Sequence, residues 1–239
     1  IHSLKVTGSN SNSASIVGIR IASGLTTYSN NIISLGGNTL TTIYGIYENG
    51  SSGNNNNLYF NTVYIGGTPG SGTNKSYALY SAVNTNSRNF RNNIFVNARS
   101  TASGSYLHYS MYIVSTGGTI TSDYNNYYVS GIGGYLGYYG GNVGTVPIVT
   151  SQDASSTNSD PLFAGTGSSA TDYKPSASLP AVTGTPITVD YSSATRGSSP
   201  TMGAWEMIIN KWKGTTSTSW GTASNWTGLV VPSADANII

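Results

Sequence analysis

Eight acidic side chains and two histidines are the residues in this 239-residue chain best suited to catalysis. Two carboxylates held roughly 5 to 10 Å apart can hydrolyse a glycosidic bond, and a carboxylate cluster with a base can run a calcium-dependent elimination. The spacing argues against both. Before residue 150 the acids are Glu48 and Asp123 alone, in different repeats and at different strand positions. In layers about 4.8 Å thick they would stand some ~14 Å apart along the stack. Asp153, Asp160, Asp172, Asp190, Glu206 and Asp235 fall in a loop-rich region, where turn formation accounts for such residues. His2 and His108 are isolated, cysteine is absent, and no nucleophile elbow, phosphate loop or EF-hand pattern occurs. The chain is therefore read as non-enzymatic, with no catalytic, metal or cofactor site.

Aromatic residues recur more regularly. Tyr47, Tyr80, Tyr112 and Tyr138 each close a Tyr-rich segment, and Tyr64, Phe95 and Tyr128 each sit inside an apolar one. If the residues beside them face a core, these seven face outward in two columns, each with one residue per repeat. Three roles are open to such columns. They could stack on one another, lie under a loop or neighbouring chain, or hold the flat faces of sugar rings. Asparagine recurs as well, at Asn31, Asn61, Asn92 and Asn125. Their parity points them inward, where stacked amides satisfy each other in a structural ladder.

The elements that carry these columns repeat. His2-Leu4-Val6, Asn31-Ile33-Leu35, Asn61-Val63-Ile65, Asn92-Ile94-Val96 and Asn125-Tyr127-Val129 mark one strand, with steps of 29, 30, 31 and 33. A second strand reads VGIR, YGIY, YALY, YSMY and YLGY from Val17, Tyr44, Tyr77, Tyr109 and Tyr135. A period near 30 without helical patterning predicts an all-β fold, a single-stranded parallel right-handed β-helix of about five coils. Ile33, Val63, Ile94 and Tyr127 should form one interior column, and Leu35, Ile65, Val96 and Val129 the next. Ile19, Ile46, Leu79 and Met111 should line a second face, broken at Gly137.

Composition agrees. Charged residues are 8% of the chain, against about a quarter ordinarily, while 37% are apolar. Disorder is excluded, and a net charge of +2 offers nucleic acid no basic face. No apolar run approaches the ~20 residues of a membrane span.

Beyond Val143 the repeat is lost. Asp160–Phe163, Asp172–Pro175, Leu179–Ala181 and Gly203–Glu206 resemble the closing segment of bacterial secreted β-helix proteins of the pectate-lyase-like superfamily, although LPAVTG replaces an acidic run. Trp212, Gly214, Trp220, Asn225, Trp226, Pro232 and Asn237 resemble a β module of large surface proteins exported by type IX secretion. The domains expected are coils over 1–143, a terminal coil and cap over 144–207, and an incomplete β-rich module over 208–239. The resemblances imply one piece of a long extracellular or cell-surface bacterial protein. Its expected partners are neighbouring modules of the same chain, surface glycans or other copies of itself. A non-enzymatic structural or adhesive segment, acting as a rigid spacer or extracellular fibre component, is the function expected, with a polysaccharide-binding or polysaccharide-degrading β-helix, its catalytic coils elsewhere, as the alternative.

Overall fold

The computed structural model describes residues 4–5, 14–70, 72–101, 107–207, 212–226 and 231. It divides into two compact units, residues 1–206 and 207–239.

The first unit is a parallel β-solenoid. Its first coil holds β1 (Leu4–Lys5), β2 (Ser15–Ile21) and β3 (Thr27–Ser29), and its second β4 (Ile32–Gly36), β5 (Thr42–Glu48) and β6 (Asn56–Tyr59). The third holds β7 (Thr62–Ile65), β8 (Ser76–Ser81) and β9 (Ser87–Arg91), and the fourth β10 (Ile94–Asn97), β11 (His108–Ile113) and β12 (Thr119–Asp123). A fifth has only β13 (Asn126–Val129) and β14 (Gly134–Tyr139), and β15 (Asn142–Val143) folds back antiparallel on β14. Three sheets result: β1-β4-β7-β10-β13, β2-β5-β8-β11-β14-β15 and β3-β6-β9-β12. The five coils expected are thus four complete turns and one that lacks its third strand.

From the second coil on, the interior columns follow the predicted scheme except at β10; in the first coil Leu4 pairs with Leu35, two residues beyond the Ile33 that the repeat gave it. Ile33 pairs with Val63, Val63 with Phe95, and Phe95 with Tyr127. Leu35, Ile65, Asn97 and Val129 form the neighbouring column. Ile94 and Val96, expected inside, lie on the outer face, and Phe95, expected outside, is in the core. A one-residue slip exchanges the faces of a strand.

The slip has a cause in the preceding corner. Asn30, Phe60, Asn92 and Tyr124 all adopt left-handed backbone, with φ of 54°, 54°, 62° and 54°. This conformation turns the chain from the third sheet into the first. The residue that follows each corner carries the ladder, so the ladder residues are Asn31, Asn61, Asn93 and Asn125, not Asn92. Each Nδ2 donates to the next Oδ1, at 2.9, 3.0 and 2.9 Å. The same oxygens take the backbone N–H of the preceding rung, at 3.2, 3.0 and 3.0 Å. The second amide hydrogens of Asn61, Asn93 and Asn125 go to the carbonyls of Tyr28, Leu58 and Phe90. The bonds between asparagines run from each coil to the next, while the second amide hydrogens turn back to the layer before, and the column ends where Asn125 N–H meets Ser156 Oγ.

The segment after Val143 has two jobs. Residues 146–157 close the far end: Ile148 fills the space left by Gly137, and the Asp153 and Thr157 N–H groups donate to Ser122 and Asn125 carbonyls. Residues 160–206, expected as an end cap, instead run back along the outside of the first sheet. The reason is the apolar outer face of that sheet. Leu179 and Met202 cover Ile94 and Val96, and Tyr173 and Ala204 cover Ile32. The corner side chains hold this return segment: Asn92 exchanges two bonds with Val182, Asn30 donates to the Val189 carbonyl, and Arg196 lies 3.7 Å over the Phe60 ring.

In the second unit Trp212, Trp220 and Trp226 form one cluster, with centroids 4.4 to 5.7 Å apart. Asn225 ties its loop, accepting from the Thr216 and Ser217 N–H groups. Pro232, Asp235 and Asn237 lie outside the described residues, as does His2.

Candidate functional site

The outer face of the second sheet carries the most regular chemistry. Pairing skips one position in every strand there: Tyr44–Tyr77 and Ile46–Leu79 are paired, while Gly45 and Ala78 are not. The same skip recurs at Gly18, Ser110 and Leu136. The chain kinks, so two successive residues turn inward. Ala78 and Leu79 are both core, and a Cβ on Gly45 would run into Val63 beside buried Ile46. The tyrosines before and after this pair therefore share the outer face. Alternation by two would have placed them on opposite sides.

Two columns result. Tyr47, Tyr80, Tyr112 and Tyr138 form the expected one, and Tyr44, Tyr77, Tyr109 and Tyr135 stand beside it in register. The second was visible as the Tyr-x-x-Tyr repeat, but its orientation depends on the kink. Within a column Tyr77 stacks between Tyr44 and Tyr109 at 5.1 and 5.8 Å, and Tyr112 between Tyr80 and Tyr138 at 5.3 and 4.3 Å. Tyr47 departs from this, stacking on Tyr44 of the other column and meeting Tyr80 edge-on at 79°. Across columns the other rings meet edge-on, Tyr77–Tyr112 at 77° and Tyr109–Tyr112 at 86°. This herringbone places both faces of Tyr77 and Tyr112 against other rings, the geometry in which the aromatic quadrupoles attract. Arg20 continues the outer column, 5.9 Å from the Tyr47 ring. Burial pushes the Tyr44, Tyr77, Tyr80 and Tyr112 phenols above their ordinary range, and neighbouring phenols push them further.

The remaining aromatics part company. Tyr64 and Tyr128 do face outward, under the return segment. Tyr64 packs on Tyr173 and Phe163, and Tyr128 donates to Asp160 Oδ2 at 3.2 Å. Phe95 stacks on Tyr127 inside the core, 6.1 Å between centroids.

The carboxylates act as acceptors for the protein's own groups. Glu48 is buried and takes the Ser81 hydroxyl at 2.6 Å; burial raises its pKa against the pull of Ser81 and Arg88. Asp123 accepts the Tyr124 and Ser155 N–H groups. Asp153 collects the Ser122, Tyr127 and Ser156 hydroxyls and the Val149 N–H. Asp160 accepts from Leu162 N–H, and Asp172 closes a capping box with Ser169.

Asp190 and Glu206 flank Arg196. The guanidinium is 3.1 Å from Glu206 Oε2 and also reaches the Asn30 amide oxygen and the Gly203 carbonyl. Burial lifts the Glu206 pKa despite its N–H donors and Arg196, whereas in Asp190 the donors from Glu206, Ser192 and Ala194 outweigh burial and lower it. Sequence reasoning passed over Arg196; one arginine in a loop gives no signal of its own.

On the outer face of the third sheet Thr27, Asn57, Asn89 and Thr121 form a polar column beside a groove of about 440 Å³. Among the described residues no three His, Asp or Glu side chains gather as metal ligands, and no helix is long and apolar enough to cross a membrane. Compared with protein-family models, curated proteins and solved structures, the chain finds no match, so the two resemblances rest on their own motif residues.

Proposed function

We propose that this chain is a non-enzymatic, load-bearing segment of a large secreted or cell-surface bacterial protein, a rigid solenoid serving as spacer or fibre component. The observation that carries the reading is the tyrosine herringbone. Rings that face one another stiffen the sheet and leave Tyr77 and Tyr112 no open face for a sugar. The carboxylates among the described residues, each taking at least one structural donor, support the same reading. Incubating the protein with a panel of plant, algal and bacterial polysaccharides tests it. No oligosaccharide release and no retention are expected, with Tyr80→Ala and Tyr112→Ala changing stability and not retention. Product formation, or retention lost in those two variants, would overturn it.

One observation favours the second reading, a polysaccharide-binding or polysaccharide-degrading β-helix whose catalytic coils belong to a longer chain. Beside Leu25 and Arg88, the groove on the third sheet is lined by Asn55, Asn57, Asn89, Thr119 and Thr121, neutral hydrogen-bonding groups suited to hydroxyls. Retention that survives the tyrosine variants and is lost in Asn57→Ala would support it.

A further inference from the structure

The path of residues 160–206 decides how tension would enter this unit. The segment leaves the fifth coil, where Tyr128 holds Asp160, and works back toward the first. Its last residues step down the stack: Gly203 N–H donates to the Asn92 carbonyl at the fourth coil, and Ala204 N–H to Thr62 Oγ1 in the third. Glu206 then meets Arg196, which is anchored on Asn30 at the entrance to the second. Met207 follows at once. Ala14 in the first described coil and Glu206 beside the second thus stand one layer of about 4.8 Å apart along the stack. For a load applied between these two points the coils are not in series, and the return segment is.

We propose that residues 160–206 are a force-releasable strap, clasped by Arg196 and lifted from the first sheet by tension while the coils beneath stay folded. The geometry is a peel: tension reaches the Glu206 end first and loads one attachment after another, whereas the strand ladders would have to fail many bonds together. The clasp is the strongest attachment at that end. Arg196 donates to Glu206, Asn30 and the Thr201 and Gly203 carbonyls, and Glu206 N–H donates to Asp190 Oδ2. A desolvated, several-fold bonded ion pair holds while complete and fails together once one member moves. Release bares Ile32, Tyr64, Ile94, Val96 and Tyr128, an apolar strip of the kind that binds other protein surfaces. The strap rests on the load-bearing reading above for its source of tension.

Single-molecule pulling separates the two ideas, with handles on Ala14→Cys and Met207→Cys, since the chain has no cysteine of its own. Two events are expected: a first at low force releasing roughly 160 Å of contour, and a second at higher force releasing roughly 500 Å, at about 3.4 Å per residue. Arg196→Gln should lower the first force and leave the second unchanged. One event over the whole contour would overturn the strap. Two events with the second no stronger than the first would leave the strap and overturn the load-bearing reading. In solution, Val96→Cys should label with a thiol reagent about tenfold faster when combined with Arg196→Gln or Asn92→Ala. An unchanged rate in both combinations would also overturn the strap.

Discussion

His108 is buried at the join of the first and second sheets, its Nδ1 2.9 Å from Ser76 Oγ, and its Nε2 has no protein partner. Burial, with the Arg99 guanidinium adding to it, lowers its pKa from 6.5 to about 4. The neutral ring is the folded form. Its contribution to stability is therefore complete above pH 6.5 and lost as pH falls toward 4, because the unfolded chain binds the proton first. The loss is on the order of 3 kcal/mol. Denaturant melts of the parent should weaken through that window, and melts of His108→Asn should be flatter across it. Equal slopes would show that other groups govern the acid limb. The sequence presented this histidine as isolated, and gave no sign of its contact with Ser76. Its burial depended on coil stacking that no single residue declares.

At the scale of elements, the asparagine ladder separates two neighbours that look alike in sequence. Asn93 accepts from the Asn61 backbone and side chain and donates to Leu58 and Asn125, so Asn93→Ala strands several buried partners. A loss on the order of 3 kcal/mol in chemical denaturation is expected. Asn92→Ala removes two bonds to Val182 on the return segment and should cost about 1 kcal/mol. The reverse order would refute the ladder assignment. The period and the parallel stacking were legible because apolar residues alternate in three of the four complete repeats. The fourth was misread because Ile94, Phe95 and Val96 are all apolar and Asn92 and Asn93 are both asparagine. Alternation then gives no preference, and the left-handed corner decides. The tyrosine face was half legible for a similar reason: its residues repeat, but the kink that turns both columns outward is a backbone event.

For the whole molecule, the coils share one continuous core, whereas the return segment is held by scattered apolar contacts, corner side chains and the Arg196 clasp. Amide hydrogen exchange should accordingly show residues 177–204 opening well before β7, β8, β10 and β11. Simultaneous opening would mean one cooperative unit. This segment was least legible in the sequence, because it has no period and its partners lie up to 166 residues away, as in Arg196 and Asn30. The ladder has a last consequence, for length. Each rung offers a backbone and a side-chain N–H that one oxygen of the following rung answers. A further coil therefore needs only an asparagine at its corner to satisfy the one beneath, and Ser156, which answers the backbone N–H of Asn125, is the full stop.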